Sequence, residues 1–225
     1  MNEPEAVKVV LLGESGVGKT SIISQFTTNK FDPHRETSLS AQFISKTIEF
    51  PDIGKAIKFD IWDTVGQEKY RSLAEIFYRD AKVIVFVYDI ATEFSFLALK
   101  DYWYEETKSK STGTPILALV GNKIDKYAEQ RVSNNDGMDF ANQIGAIFQT
   151  TSAQSNQGIT TLFDNIGKKY LIPDFDYKAT DKKAQEEFLK RKQEKEDESE
   201  KKRIEKRGMK LESEEKEKAK KRKCC

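Results

Sequence analysis

The sequence predicts an α/β fold with a mostly parallel sheet and helices on both faces. Three observations carry this. Short apolar runs recur at residues 7–12, 83–88, 116–120 and 146–149, as buried strands do. Segments with apolar residues at helical spacing alternate with them. A glycine-rich motif, Gly13-Glu14-Ser15-Gly16-Val17-Gly18-Lys19-Thr20, stands between the first run and the first helical segment.

The elements follow in order. Residues 7–12 end at Gly13, as a buried strand ends at a turn. Residues 19–29 put Ile22, Ile23 and Phe26 at helical spacing, and residues 30–41 are polar and irregular. Residues 42–50 alternate around Phe43, Ile48 and Phe50. Pro51-Asp52-Ile53-Gly54 reads as a turn, and residues 56–62 carry Ile57, Phe59 and Ile61 on one face. These two runs predict an antiparallel hairpin. Val-Ile-Val-Phe-Val-Tyr at 83–88 predicts a strand covered on both faces. Residues 95–108 are helical in pattern until Thr114-Pro115 breaks them. Residues 116–120 form another strand, 132–144 a helix starting near Ser133 or Asn134, 146–149 a short strand, and 159–170 a closing amphipathic helix. Ligands of such sheets sit beyond the carboxyl ends of the strands.

Charge divides the 225 residues into two parts. Residues 178–225 hold 19 Lys and Arg against 13 Asp and Glu, while residues 1–177 hold 19 against 24. A mildly acidic body therefore precedes a strongly charged tail, which has too few large apolar side chains to offset its own ordering entropy. The tail is expected to be a flexible or partly helical spacer and not a second domain. Its interleaved acidic residues argue against nucleic-acid binding. No apolar stretch reaches the roughly 20 residues of a membrane-spanning helix, and residues 1–5 carry no secretory signal pattern. The only cysteines are Cys224 and Cys225, which excludes a disulfide framework or a cysteine zinc site within the body.

The glycine-rich motif has the spacing G-x-x-x-x-G-K-[ST] of a phosphate loop. Glycines let successive N–H groups turn inward around an anion, and the following helix adds its positive end. Lys19 is expected to neutralise β/γ-phosphate charge, and the Thr20 hydroxyl to ligate Mg²⁺. Such a loop does not choose the base. Asn122-Lys123-Ile124-Asp125, after the strand at 116–120, supplies that choice. A carboxylate at Asp125 accepts from guanine N1–H and its exocyclic amine together, a donor pair adenine lacks. The stem of Lys123 is expected on the purine face with its ammonium in water. Thr151-Ser152-Ala153 stands where a further loop reaches the base, and Phe31 where a ring can pack on its edge.

The phosphate loop, Trp62-Asp63-Thr64-Val65-Gly66-Gln67-Glu68, Asn122–Asp125 and Thr151–Ala153 occur in the order and spacing of a Ras-superfamily small GTPase, over about residues 6–172. Within it the chain resembles the Rab family at Lys58-Phe59-Asp60-Ile61-Trp62, Lys69-Tyr70-Arg71-Ser72-Leu73, Phe77-Tyr78-Arg79-Asp80-Ala81 and Phe86-Val87-Tyr88-Asp89-Ile90. The resemblance implies a phosphate-loop small G domain, a six-stranded mostly parallel sheet flanked by five helices. It is preceded by an extension of residues 1–5 and followed by a variable tail from 173 to 225. It implies a GTPase that cycles between GDP- and GTP-bound states with Mg²⁺ and regulates membrane trafficking. The nucleotide contacts implied are Glu14, Ser15, Gly16, Val17, Gly18, Lys19, Thr20, Ser21, Phe31, Ser38, Asp63, Gly66, Asn122, Lys123, Asp125, Thr151, Ser152 and Ala153. The Mg²⁺ ligands implied are Thr20, Ser38 and, through water, Asp63. Gln67 would orient the attacking water, with Lys19 the second catalytic residue. Phe43, Trp62 and Phe77 are the implied effector surface, whose bland alternative is the rim of the core.

Three positions depart from the family. Ser38 stands for the usual Thr and keeps the hydroxyl but loses a methyl. Ser40 stands for Gly. Val65 stands for Ala beside the γ-phosphate, where misplacing Gln67 or the water by about 1 Å costs on the order of 100-fold in rate. Slow turnover is therefore expected, and a nucleotide-locked membrane adaptor is the alternative. A phosphotransferase using the same loop is disfavoured by Asn122–Asp125. No arginine finger is supplied in cis. The terminal pair Cys224 and Cys225, after Lys220-Lys221-Arg222-Lys223, resembles the doubly geranylgeranylated end of many Rabs. Two lipids, or one lipid and a basic patch, hold a protein to a membrane where one alone is marginal. The implied setting is the cytoplasmic face of an endomembrane with a cytosolic pool. Endosomes are favoured by Glu14-Ser15 and Ser40-Ala41-Gln42-Phe43. The implied partners are effectors, exchange factor, GAP and escort or GDI proteins, around a monomeric G domain.

Overall fold

A computed structural model describes residues 3–34, 41–64 and 74–177. The chain divides into two units, Met1–Phe175 and Asp176–Cys225, and of the second only Asp176 and Tyr177 are described.

Six strands form one sheet in the order β2-β3-β1-β4-β5-β6. They are β1 (Glu5–Leu12), β2 (Gln42–Phe50), β3 (Lys55–Asp63), β4 (Val83–Asp89), β5 (Ile116–Asn122) and β6 (Ile147–Thr150). The hairpin of β2 and β3 is antiparallel and every other pairing is parallel. All seven residues of β4 are buried, as its unbroken apolar run requires.

Six α-helical segments are described: α1 (Lys19–Thr28), α2 (Ala74–Tyr78), α3 (Glu93–Ala98), α4 (Tyr104–Lys110), α5 (Asn134–Ile144) and α6 (Ile159–Leu171). Segments α3 and α4 continue into each other through a wide turn at Leu99–Trp103, where the Tyr104 N–H reaches back five residues to the Leu99 carbonyl. Five helical bodies therefore flank the sheet. The spacing of the sequence marks this rod only as residues 95–108; the wide turn leaves no signature in it. Helix α2 is also absent from the spacing, being too short to show a period. Helix α5 begins one residue after Ser133, whose hydroxyl accepts the Asp136 N–H while the Asp136 carboxylate accepts the Ser133 N–H.

The core has two layers because strand side chains alternate. Val10, Leu12, Ile84, Phe86, Tyr88 and Leu119 pack with Phe96, Leu99, Trp103 and Phe140 from α3, the wide turn and α5. On α1 and α6, Phe26 and Phe163 stack at 3.6 Å, with the Phe59 ring of β3 edge-on to both. Among the described residues no helix is long and apolar enough to cross a membrane.

Strand β1 lies between β3 and β4, so the chain runs outward on both sides of it. The loop after β1 opens at that switch point, where a doubly wound sheet leaves a crevice. Register completes the placement. Leu11 lies beside Asp63, and Asp89 beside Asn122, so four strand ends deliver their next residues to one edge.

Candidate functional site

The phosphate loop connects β1 to α1. Gly13, Gly16 and Gly18 all have positive φ (146°, 77° and 100°). Two cannot carry a side chain for reasons of space as well. A Cβ on Gly13 would meet the Val87 carbonyl oxygen at 2.2 Å, and one on Gly18 the Asn122 Nδ2 at 2.4 Å. The side-chain capping common at helix N-termini is missing at α1, whose N-cap is Gly18. That leaves the first-turn amides to an anion.

Lys19 is 5% exposed, and its ammonium donates to the Gly13 carbonyl at 2.8 Å and the Glu14 carbonyl at 2.9 Å. Burial lowers its pKa to about 8, with Asp63 and then Glu14 pulling it back up. A buried cation with two carbonyls as its hydrogen-bond partners among the described residues, at the mouth of a glycine-rich loop, is matched to a phosphate. Beside it, the Thr20 hydroxyl donates to Asp63 Oδ2 at 2.6 Å. Asp63 is buried at the end of β3. A hydroxyl and a carboxylate at one point are the hard oxygen donors Mg²⁺ takes, so the residues fit that ion. Thr64 fastens the same strand end by donating to the Leu11 carbonyl at 2.6 Å.

The base side is organised by Asn122. Fully buried, it donates through Nδ2 to the Val17 carbonyl at 2.8 Å and accepts at Oδ1 from the Thr151 hydroxyl at 3.0 Å. One side chain thus ties the phosphate loop, the Asn122–Asp125 segment and the Thr151–Ala153 segment together. Lys123, in the left-handed region at φ 68°, differs from the expectation of a wet ammonium. Its Nζ donates to the Gly16 carbonyl at 2.6 Å and pairs with Asp89 at 2.8 Å. The low exposure of Asp89 and the nearness of that carbonyl make the protein a better partner than water. The Ser152 hydroxyl donates to the Asp125 carboxylate and fixes its direction.

A cavity of about 300 Å³ opens between these groups. Gly16, Gly18, Ser21, Phe31, Asn122, Lys123, Asp125 and Ala153 line it. Expected contacts from four separate segments thus converge on one space. A Cβ on Gly16 would meet nothing within 4 Å, so the loop leaves room on that side. Ser15 is exposed and Val17 buried.

The aromatic residues stand apart from this site. Phe43 and Trp62 are cross-strand partners with ring centroids 5.1 Å apart, and Trp62 lies 5.3 Å from Phe77. Phe43 is 51% exposed, while Trp62 and Phe77 are partly buried and pack against the core. Ser38, Ser40, Val65, Gly66, Gln67, Cys224 and Cys225 lie outside the described residues.

Three participants escape the sequence reading. Asp89 had a signal, a carboxylate ending a wholly apolar strand. Thr64 had its place in the motif from Trp62 to Glu68 but no sign of its contact, and the buried Trp103, whose indole donates to Glu14 Oε1 at 3.0 Å, had no signal at all.

The Ras family model matches residues 8–172. That covers both halves of the cavity. The chain belongs to the Ras family. Within it the relatives are Rab proteins. The chain is 41% identical to Ras-related protein Rab-21 of Geodia cydonium over 73% of its own length and 70% of that protein's. It is 39% identical to Ras-related protein Rab-5A of Dictyostelium discoideum over 72% and 79%. It is 39% identical to Ras-related protein Rab-22A of Homo sapiens over 76% and 85%. This Rab-type small GTPase binds GTP and GDP with Mg²⁺, hydrolyses GTP, and acts in membrane trafficking with regulators and effectors. Nothing in these relationships favours the nucleotide-locked adaptor over the hydrolysing switch.

Proposed function

We propose that the cavity takes guanine and that the phosphate loop takes the polyphosphate of the same nucleotide. The observation that carries this is the Asn122 side chain, which binds both loops at once beside the cavity. Asp125 accepts from guanine N1–H and amine, Phe31 covers the base edge, and Ala153 approaches it through the backbone. Lys19 keeps its two carbonyl partners and turns its remaining N–H and its charge to the phosphate oxygens. Thr20, Ser38 and, through water, Asp63 would hold Mg²⁺, which would supply neutralisation of the phosphate charge. Gln67 orients the water that attacks the γ-phosphorus while the bond to the β–γ bridging oxygen breaks, giving GDP and phosphate. Gly66 offers its N–H to the γ-phosphate, so that its segment and that of Ser38 change with nucleotide state.

Asn122→Ala removes two buried hydrogen bonds and strands their partners, at about 1–3 kcal/mol for each unsatisfied group. GDP release, followed with a fluorescent analogue, is expected to accelerate by about 10- to 100-fold. A release rate equal to wild type contradicts the joint role of Asn122.

The rest of the reading concerns the cycle and its place. Val65 adds β-branched bulk beside Gln67, so single-turnover hydrolysis is expected to be several-fold faster in Val65→Ala, by up to about 100-fold if Gln67 recovers a 1 Å misplacement. Equal rates mean that the loop accommodates Val. Exchange factor, GAP and GDI proteins drive the cycle, and Phe43, Trp62 and Phe77 present the surface effectors read. Geranylgeranyl groups on Cys224 and Cys225, helped by the basic residues 220–223, anchor the protein to the cytoplasmic face of an endosomal membrane, with a cytosolic pool. Intact mass of protein from its own cell is expected to exceed the sequence mass by two lipids. An unmodified C-terminus overturns the anchor.

A further inference from the structure

We propose that Trp103 is a positioning residue for the phosphate loop and slows nucleotide release through Glu14. The argument rests on the reading of Gly13–Thr20 as the loop that holds GDP and GTP. Glu14 is held at both ends. Its backbone carbonyl accepts from the Lys19 ammonium at 2.9 Å, and its side-chain Oε1 accepts from the Trp103 indole N–H at 3.0 Å. Both side chains are buried, Glu14 at 9% exposure and Trp103 at 0%. The bond spans 89 residues of sequence and ties the phosphate loop to the rod made by α3 and α4.

The wide turn in that rod serves this placement. Leu99, Trp103 and Thr107 are buried at steps of four residues, more than the 3.6 of an α-helix, so a regular helix would rotate them progressively off the sheet. The Tyr104 to Leu99 hydrogen bond, five residues long, absorbs the drift and keeps Trp103 facing the loop.

A loop built on positive-φ glycines keeps its amides turned toward an anion only if something fixes its backbone. The indole N–H does this, fixing the Glu14 side chain on the rod side of the loop. Without that donor, or without the carboxylate that receives it, the Glu14 carbonyl that accepts from Lys19 loses its anchor and the loop amides are held less firmly around the phosphates. The consequence falls on how long a nucleotide stays.

The test is GDP dissociation from full-length Mg²⁺-loaded protein in wild type, Trp103→Phe, Glu14→Ala, the double variant and Asp101→Ala, with melting temperature measured alongside. Asp101 is an exposed residue of the same wide turn and controls for general disturbance of the rod. Release is expected about tenfold faster in each of Trp103→Phe and Glu14→Ala, and the double variant no more than about twofold beyond the faster single. Asp101→Ala is expected within about twofold of wild type. Lowered melting temperatures with unchanged release, or single effects that multiply in the double variant, overturn the proposal. Should Trp103→Phe not fold, Glu14→Ala decides alone, since wild-type release there overturns it equally. Wild-type protein that fails to retain GDP refutes the phosphate-loop reading itself, which separates the two failures.

Discussion

Lys19→Ala is expected to lower GDP affinity by about 10²- to 10³-fold and to bring GTP hydrolysis to background. The structure gives the reason. Lys19 is a buried cation whose partners without nucleotide are the Gly13 and Glu14 carbonyls, and burial has lowered its pKa to about 8. A phosphate in the loop adds formal negative charge to these dipoles, and truncating one side of a buried charge pair costs about 2–5 kcal/mol. The loss should be larger still for hydrolysis, where charge spreads over the γ-phosphoryl oxygens. The lowered pKa adds a signature. Phosphate raises the pKa of Lys19 in the complex, so below about pH 8 the ammonium is already charged in the free protein and pH has no effect through it. Above about pH 8 binding must take up a proton, and affinity falls by up to about tenfold per pH unit. Lys19→Ala should be flat between pH 7 and 9, measured by GDP titration of nucleotide-stripped protein. A wild-type profile as flat as the variant's contradicts the assignment.

Asp125→Ala is expected to lower guanine nucleotide affinity by about two orders of magnitude and to remove most of the preference over adenine. Its carboxylate is directed by the Ser152 hydroxyl and lines the same cavity as Phe31 and Ala153. Without it, the N1–H and amine of guanine enter the cavity without acceptors. Unpaired buried donors cost about 1–3 kcal/mol each. Adenine has no matching pair of donors to lose, so its weak binding should hardly change. Competition of GDP and ADP for the stripped variant measures both quantities. Undiminished discrimination means that another group reads the base.

Much of this was legible before folding because its signals are local. The strand between Val83 and Tyr88 has only one way to be buried, and the hairpin of β2 and β3 is written in two alternating runs around a proline-glycine turn. The phosphate loop is legible because glycine spacing and a Lys-Thr pair leave little else for the segment to be. What escaped is what depends on distance in sequence. Asn122 reads as a nucleotide contact beside Asp125, yet it is also the tie between Val17 and Thr151, and only the parallel register of β1, β4 and β5 brings these together. Lys123 reads as a stem on the purine with its ammonium in water, yet Asp89, delivered by β4, pairs with that ammonium. Trp103 draws no assignment from the sequence, because no local pattern shows that its N–H reaches Glu14. The wide turn between α3 and α4 is invisible for a related reason, since the sequence shows neither which of its side chains are buried nor the backbone hydrogen bond that widens the turn.

The measurement that bears most directly on the central claim is competition between guanine and adenine diphosphates for stripped full-length protein in the presence of Mg²⁺. A cavity read by Asp125 and a loop read by Lys19 predict that GDP binds at least about 10³-fold tighter than ADP, and that chelating Mg²⁺ speeds GDP release. Equal affinity for the two, with release indifferent to Mg²⁺, would contradict the account at its root.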